Sequence, residues 1–436
     1  LCINLACIAE RVDEQLLPSL FRFVGHSFSA SPSQLGQLTF SRAVVQALAS
    51  PLAGVLGHHI NRVHVICCGA ALWGLMCLGF ATASSVGQGL AFWAINGIGL
   101  ALLLPAAQSI TADYYPQHRG RAFGTLHFTG AAGAVLSTLF ATNIGGVRPL
   151  GFEGWRFAFV SVALASWCVG ACTFFFAVDP RRSRDPQYRC GSTQRVLGCA
   201  GPAYVRAVQI LIWLSRPAGA HATGIVGTAP WVALVYLTFS FQLMGMSDVQ
   251  ASLLMAIFLA TNAVGGLIGG MLGDWASRRW PNHGRICVCQ FSVGVGVPLS
   301  LGLPLSSSPG AVAMHAVVLG VMGLAISWPA PACNNPIFAG EAGGIVPPHM
   351  RNLIYAFDRS FEGAIAALGA ALVGWLSQAA YGFSGAAEVG PDALVNTAKS
   401  ESLSSALLVF TTVPWALCAV FYSGLHLTYL RDRRRA

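Results

Sequence analysis

Gly266-Leu-Ile-Gly-Gly-Met-Leu-Gly-Asp-Trp-Ala-Ser-Arg-Arg-Trp-Pro-Asn-His-Gly-Arg285 decides the architecture. The stretch lies between two apolar runs. Its small residues let two helices approach closely, and Asp274, Arg278, Arg279 and Arg285 then fill a tight turn that no bilayer interior would accept. A weaker copy, Gly54-Val-Leu-Gly57-His-His-Ile-Asn-Arg62, stands half a chain length earlier. It has the same step from Gly54 to Gly57 as from Gly270 to Gly273, and the same step from first glycine to arginine, Arg62 matching Arg278. A charged turn between two spanning helices, repeated once per half, predicts a duplicated membrane protein built as two helical bundles.

Composition agrees with a bilayer as solvent. Hydrophobic residues make up 55% of the chain and charged residues 9%, with a mean hydropathy of +0.62; a soluble domain of this length would be short of polar surface. The net charge of +9 comes from 25 basic residues, of which Lys399 is the one lysine, against 16 acids. The arginines are scattered through short turns between apolar runs instead of gathered on one face, which argues against nucleic acid as a partner. Thirteen cysteines are spread through the apolar runs without a Cys-x-x-Cys pair and read as packing residues, with no metal or cofactor site implied. The chain opens on Leu1 inside an apolar segment, which predicts a piece lacking its true amino terminus.

Windows long enough to cross about 30 Å of hydrocarbon predict an all-α, polytopic protein with twelve spans: 2–22, 36–57, 63–82, 88–111, 121–143, 155–177, 218–241, 251–272, 286–304, 310–330, 352–378 and 403–428. Most basic residues fall in the turns after even-numbered spans and in the tail, while the opposite side carries Arg148, Arg156 and Lys399. The positive-inside rule therefore places both ends in the cytosol. Residues 1–178 form one six-helix bundle, 179–206 a basic cytosolic linker and 207–436 the second bundle. The linker reads as a solvated loop that fixes orientation, with contact to anionic lipid heads as the alternative. The segment 382–402, with Glu388, Asp392 and Glu401, reads as an ordinary solvated loop. Further landmarks keep the repeat in register: Leu104-Pro105-Ala106 with Trp328-Pro329-Ala330, and Arg119, Phe123 and Gly124 with Arg351, Tyr355 and Ala356.

Several polar residues fall inside the predicted spans. Glu10, Arg11, Asp13 and Glu14 lie near the middle of span 1, where an unpaired charge costs on the order of 3 kcal/mol. Arg11 reaches Glu14 at the three-residue step, so the cluster holds more acid than its own arginine neutralises. That suits a group that takes up and releases a proton; a static ion pair closing span 1 against a neighbour is the other reading. Asp358, Arg359 and Glu362 repeat the pattern in span 11, as a charged latch towards the other half or as an internal pair. Arg42 in span 2 is a partner for the span 1 acids, a contact for an anionic substrate, or a snorkelling surface residue. Asn334-Asn335-Pro336 ends span 10, and Asn96 and Gln108 sit in its repeat mate; broken helices line cavities, so Asn96, Gln108, Asn334 and Asn335 are candidate substrate contacts. His127 reads as a packing histidine.

Together these motifs resemble the major facilitator superfamily and, within it, the Spinster-like branch, especially its plant and algal relatives. The superfamily's glycine turn, Gly-x-x-x-Asp-Arg-x-x-Arg, stands here as Gly54 to Arg62 and, better preserved, as Gly270 to Arg279. Closer matches are Ala9-Glu-Arg-Val-Asp-Glu-Gln-Leu-Leu-Pro18, Asn96-Gly-Ile-Gly99, Pro105-Ala-Ala-Gln-Ser109, Pro331-Ala-Cys-Asn-Asn-Pro-Ile-Phe338 and Tyr355-Ala-Phe-Asp-Arg-Ser-Phe-Glu362. The sequence departs from the pattern in three places. His58-His59 replaces Asp-Arg, Trp93 and Leu100 stand where many Spinster-like proteins carry an arginine and a glutamate, and Trp213–Ala222 resembles an insertion at the start of span 7.

The resemblance implies alternating access, a gating role for both glycine turns, and a lysophospholipid or sphingoid-type cargo. A small organic anion or sugar derivative is the alternative cargo. Because His58 is not an anion, the second turn, through Asp274, is expected to dominate the latch and the first to be looser or pH-sensitive. Protons are the expected coupling ion, membrane lipids the surroundings and a monomer the working unit. A non-transporting sensor with the same fold is a rival. A membrane enzyme is disfavoured, since no nucleotide loop, nucleophile motif or ligand cluster is visible.

Overall fold

The computed structural model describes residues 1–115, 119–180, 220–302, 311–329, 331–332, 351–390 and 392–435. In order, the helices are α1 (Cys2–Ser19), α2 (Phe21–Ser27), α3 (Pro32–His59), α4 (Arg62–Thr82), α5 (Val86–Tyr114), α6 (Arg119–Gly145), α7 (Gly154–Phe176), α8 (Ala220–Ala233), α9 (Leu237–Leu243), α10 (Asp248–Arg279), α11 (Gly284–Leu301), α12 (Ala311–Ile326), α13 (Arg351–Ala379) and α14 (Ala393–Arg435). Each of the twelve expected spans coincides with one of these helices or a consecutive pair. Seven spans among the described residues are long and apolar enough to cross a membrane. α1 falls outside that set because Glu10, Arg11, Asp13 and Glu14 interrupt its apolar character.

Local chemistry explains where helices start. Ser31 accepts from Gln34 N and its own N–H donates to Gln34 Oε1 (2.9 Å), a reciprocal cap that opens α3 with Pro32 in the first turn. Ser247 and Gln250 do the same for α10. Ser31 stands as far before Gly54 as Ser247 does before Gly270, so the duplication extends from the turn at one end of these helices to the cap at the other.

The two faces of the bundle are distinct. One, the turn face, carries the glycine turns and both chain ends; the opposite face carries the caps of α3 and α10. Three expectations change. Span 1 is not continuous: Pro18 lies in its last turn and Leu20 leaves helical geometry (φ −111°, ψ 7°), splitting it into α1 and α2. Its repeat mate is also broken, α8 passing through a tight 3₁₀ turn, Leu234–Tyr236, before α9, with Pro230 just upstream. Finally, half of the segment read as a solvated loop is helix, α14 starting at Ala393. Lys399 makes this possible by donating to Ala386 O (2.9 Å) and Glu388 O (3.4 Å) while lying over the Phe383 ring, which ties the helix to residues 383–388.

The bundles meet firmly at the opposite face. Phe21 packs on Tyr236 (5.2 Å between centroids), so the two broken spans touch. The Tyr236 hydroxyl lies 2.7 Å from Pro32 O and 3.1 Å from Ala370 O, joining three helices. Arg22 pairs with Asp248 (3.0 Å), His26 Nδ1 with Glu388 (2.6 Å), Asn143 donates to Ser252 (3.0 Å), and Ala387 N–H donates to Ala30 O (2.7 Å). Gly36 and Gly374 permit this seam: a β-carbon at Gly36 would lie 2.6 Å from the Tyr236 hydroxyl, and one at Gly374 2.7 Å from Ser33 Cα. Gly36→Leu is therefore expected to part the seam. An impermeant maleimide should modify a cysteine introduced at Ser33 several-fold faster in that variant, and equal rates would remove the seam's role.

Candidate functional site

Close helix contact positions the polar groups. Gly97 of the Asn96-Gly-Ile-Gly99 motif faces the α3 backbone at Arg42 and Gln46, and Gly99 faces Gly69 O and Trp73 N, where a β-carbon would come within 2.8 Å. Any larger residue would push α3 or α4 away from α5. The motif thus draws α3, α4 and α5 together at the level where α1 carries its acids.

On α1 the four charged residues divide into two sets. Glu10, Arg11 and Glu14 form the first: Arg11 ion-pairs with Glu14 and lies 3.4 Å from Glu10. Arg11 and Glu14 side chains are each 38% exposed, whereas Glu10 is buried and its Oε2 accepts no hydrogen bond among the described residues. Arg11 thus lies between two carboxylates, and a buried carboxylate oxygen that faces it at 3.4 Å without a hydrogen bond is costly unless it is protonated or hydrated.

Asp13 belongs to the second set, pointing into the bundle. Its Oδ2 accepts from Arg42 of α3 at 3.3 Å and its Oδ1 accepts from the Cys77 thiol of α4 at 2.9 Å. Arg42 stacks over the Trp93 ring of α5 at 4.9 Å. Asn96 donates to Trp73 O (3.5 Å) and lies 3.4 Å from Cys77 Sγ, and its Oδ1 has no partner among the described residues. Asn96 is fully buried between helices instead of lining an open cavity, while Gln108 is exposed. Arg42 is thus a partner of the span 1 acids and not a snorkelling residue. Trp93, which departs from the family pattern, is the platform for that arginine.

The turns close within each bundle. Arg62, 1% exposed, donates through Nη1 to Asp113 (2.7 Å) and Ser109 (2.8 Å), through Nε to Asp179 (3.1 Å) and through its backbone N–H to Asp179 (3.1 Å). It clasps the ends of α5 and α7 to the start of α4. In the second bundle Asp274, mostly exposed, accepts from Arg285 of α11 (2.9 Å), and Arg285 also donates to Ala332 O (2.8 Å). Among the described residues Arg62 of the first turn is therefore buried and heavily paired, where a looser turn is expected from the sequence: Asp113 of α5 and Asp179, just past α7, supply the anions. Arg278 and Arg279 are exposed, Arg279 lying over Trp280. Gly273 packs on Ala332, as Gly265 and Gly269 pack on 323–328, and Gly270 faces Pro331.

His127 is exposed on α6, where a side chain at Gly266 of α10 would meet its Nε2 at 4.0 Å. Asn334, Asn335, most of the 179–206 linker and Trp213 to Pro217 lie outside the described residues, as do the side chains of Gly54, Gly57, Asp358, Arg359 and Glu362; α3 and α13 carry the latter five as helix. Among the described residues no three His, Cys, Asp or Glu side chains converge to hold a metal. Sequence reasoning missed Asp113, Asp179 and Cys77, whose spacing to Arg62 and Asp13 gives no local signal.

Residues 3–338 match the family described as Major Facilitator Superfamily. The chain is 22% identical over 382 residues to Protein spinster of Drosophila melanogaster, covering 84% of this chain and 60% of that protein, so it spans well under the relative's full length. A bacterial homologue of the human lysosomal transporter Spinster, inward-facing and unoccupied, superposes with a TM-score of 0.75 at 22% identity, with 99% and 97% of the two chains covered. Its inward-facing, occupied conformation gives 0.73 at 20%, with the same coverage. A D-xylose–proton symporter gives 0.63 at 16%, covering 94% and 95%. At these identities the likeness to solved structures establishes the fold.

Removing the Arg62 side chain leaves Asp113 and Asp179 facing each other at the turn. Arg62→Ala is expected to cost roughly 3–5 kcal/mol, the penalty for breaking a buried ion pair by removing its buried member, read as a lowered melting midpoint in detergent. Arg278→Ala is the exposed control; equal losses for the two would deny the clasp.

Proposed function

Because the chain belongs to the Major Facilitator Superfamily and is a multi-pass membrane transporter, we propose that it works by alternating access and couples cargo movement to protons through the Glu10, Arg11 and Glu14 cluster. The carrying observation is a buried Glu10 oxygen that lacks a hydrogen-bond donor among the described residues, beside a half-exposed Arg11–Glu14 pair. A proton on Glu10 relieves that deficit, and its departure restores the attraction to Arg11. The cluster therefore has two electrostatic states that a change of access can favour in turn.

The basic turns place the turn face in the cytosol by the positive-inside rule, with both termini on that side. The seam at the opposite face then corresponds to an inward-facing arrangement, and exchange of access requires that seam to open while the turn face closes. Asp358, Arg359 and Glu362 on α13, the helix packed along α3 at the seam, are the proposed second charged set. The likeness to Spinster proteins supports an amphipathic, lipid-like cargo such as a lysophospholipid, carried by a monomer between its two bundles.

Proteoliposome flux of a labelled lysophospholipid, with and without an imposed pH gradient, tests this. Wild type should respond to the gradient, and Glu10→Gln and Asp358→Asn should each reduce the gradient-driven part at least tenfold. Gradient-independent flux that survives both changes would make the acids static pairs and the protein a uniporter; no flux at all would reject the lipid cargo.

A further inference from the structure

A guanidinium carries five N–H donors in a planar fork. Among the described residues, one of those on Arg42 is committed, the Nη1 contact to Asp13 at 3.3 Å, which is long for a charge-assisted bond. None of the other Arg42 nitrogens is both buried and unpaired, so the donors that Asp13 leaves open keep contact with solvent. The plane of the fork is held by the Trp93 ring, itself packed against Phe80 (5.3 Å) and Phe159 (5.6 Å). Arg42 retains 7% exposure and Asp13 none, so a solute arriving at the pair meets the cation first.

We propose that Arg42 is the receptor for an oxyanion on the cargo, of phosphate or carboxylate type, and that Asp13 is a built-in competitor that neutralises the guanidinium until the cargo displaces it. As a statement about cargo it rests on the transporter reading. The exchange swaps one long, single contact for a two-pronged one and never leaves the arginine unpaired, which keeps the step shallow in a low-dielectric site. The displaced Asp13 carboxylate stays buried, with the Cys77 thiol of α4 and the Asn96 amide of α5 as neutral neighbours and the Glu10 and Glu14 carboxylates of its own helix as like charges, so it takes up a proton as the anion docks. Loading of an anion and uptake of a proton are then one event: the bond made is the O–H of the Asp13 carboxyl, its proton supplied by water as hydronium, and no other covalent bond changes.

Binding to the purified full chain in detergent tests this without a gradient or flux, so it succeeds or fails independently of the transport assay. The probes are labelled lysophosphatidic acid, inorganic phosphate as competitor, and a monoacylglycerol of the same chain length. Wild type should prefer lysophosphatidic acid to the monoacylglycerol by about tenfold or more, the factor for roughly one charge-assisted contact, and should take up a proton that a pH-indicator dye detects.

Asp13→Asn removes the competitor and should tighten lysophosphatidic acid binding several-fold while abolishing the proton uptake. A residue that merely braces the fold would weaken binding when changed. Arg42→Gln combined with Asp13→Asn, which orphans no buried charge, should bring lysophosphatidic acid down to the monoacylglycerol level with an unchanged melting profile. Competition by inorganic phosphate would identify the free oxyanion as sufficient, and its failure would make the acylated headgroup the unit recognised. Equal binding of the two lipids by wild type, unchanged or weaker binding by Asp13→Asn, or retained preference in the double variant would each overturn the assignment.

Discussion

A charge held among apolar helices must be neutralised by a partner on another helix, and in this molecule that requirement organises each bundle. Asp13 and Arg42 join α1 to α3, and Arg62 with Asp113 and Asp179 joins α4 to α5 and α7. Asp274 with Arg285 joins α10 to α11. In lipid there is no hydrophobic force to bring helices together, so packing and polar contacts have to do so. The Arg62 pairs, the most buried on the arginine side, therefore work as a fixed strut within their bundle. Those between bundles, Arg22–Asp248 and His26–Glu388, are more exposed than Arg62 and weaker for that reason.

The glycines complete the same design. A stripe at Gly265, Gly269 and Gly273 brings α10 against the segment from Gly323 to Ala332, and Gly97 with Gly99 does so for α5 against α3 and α4. Ion pairs need side chains to meet at hydrogen-bond distance, and helices held a full side chain apart would leave Arg42 out of reach of Asp13. Where the bundles face one another the spans are instead interrupted, at Leu20 and at Leu234–Tyr236. A broken span frees backbone groups and allows its two halves to tilt separately. The breaks lie next to the seam, where such tilting would open or close it.

Legibility in the sequence followed how local each interaction is. The glycine turns, the half-chain repeat and the Arg11–Glu14 pair are written in steps of three to eight residues, and the structure places a helix on every expected span. Arg42 was recognisable as a partner for the span 1 acids because a lone arginine in an apolar run needs an anion. Its seat on Trp93 was not recognisable, since that depends on the register between α3 and α5 that Gly97 sets. The partners of Arg62 come from the ends of two other helices, far away in sequence, so the first turn read as the weaker one. The segment 382–402 departs in the opposite direction: a polar run of loop-like composition is half helix, its start capped by Asp392, which accepts from Leu394 N–H, and its flank tied by Lys399 to two carbonyls.

Asymmetry between the two turns bears on which bundle is the more rigid. Arg62 is bound on three sides by groups of its own bundle and is 1% exposed, so its clasp is shielded from solvent and salt. Among the described residues Asp274 has one ion pair, with Arg285, and shares it with solvent, its side chain being 61% exposed. An exposed pair can trade partners at little cost; a buried one can do so only where a new partner or a proton compensates the charge left behind. The adaptable charges of the turn face therefore lie in the second bundle, where Asp274, Arg278 and Arg279 are exposed to new partners. The first bundle, clasped by the buried Arg62 to Asp113, Ser109 and Asp179, has the more fixed charge at that face, because none of these contacts can be exchanged for water without burying a bare charge.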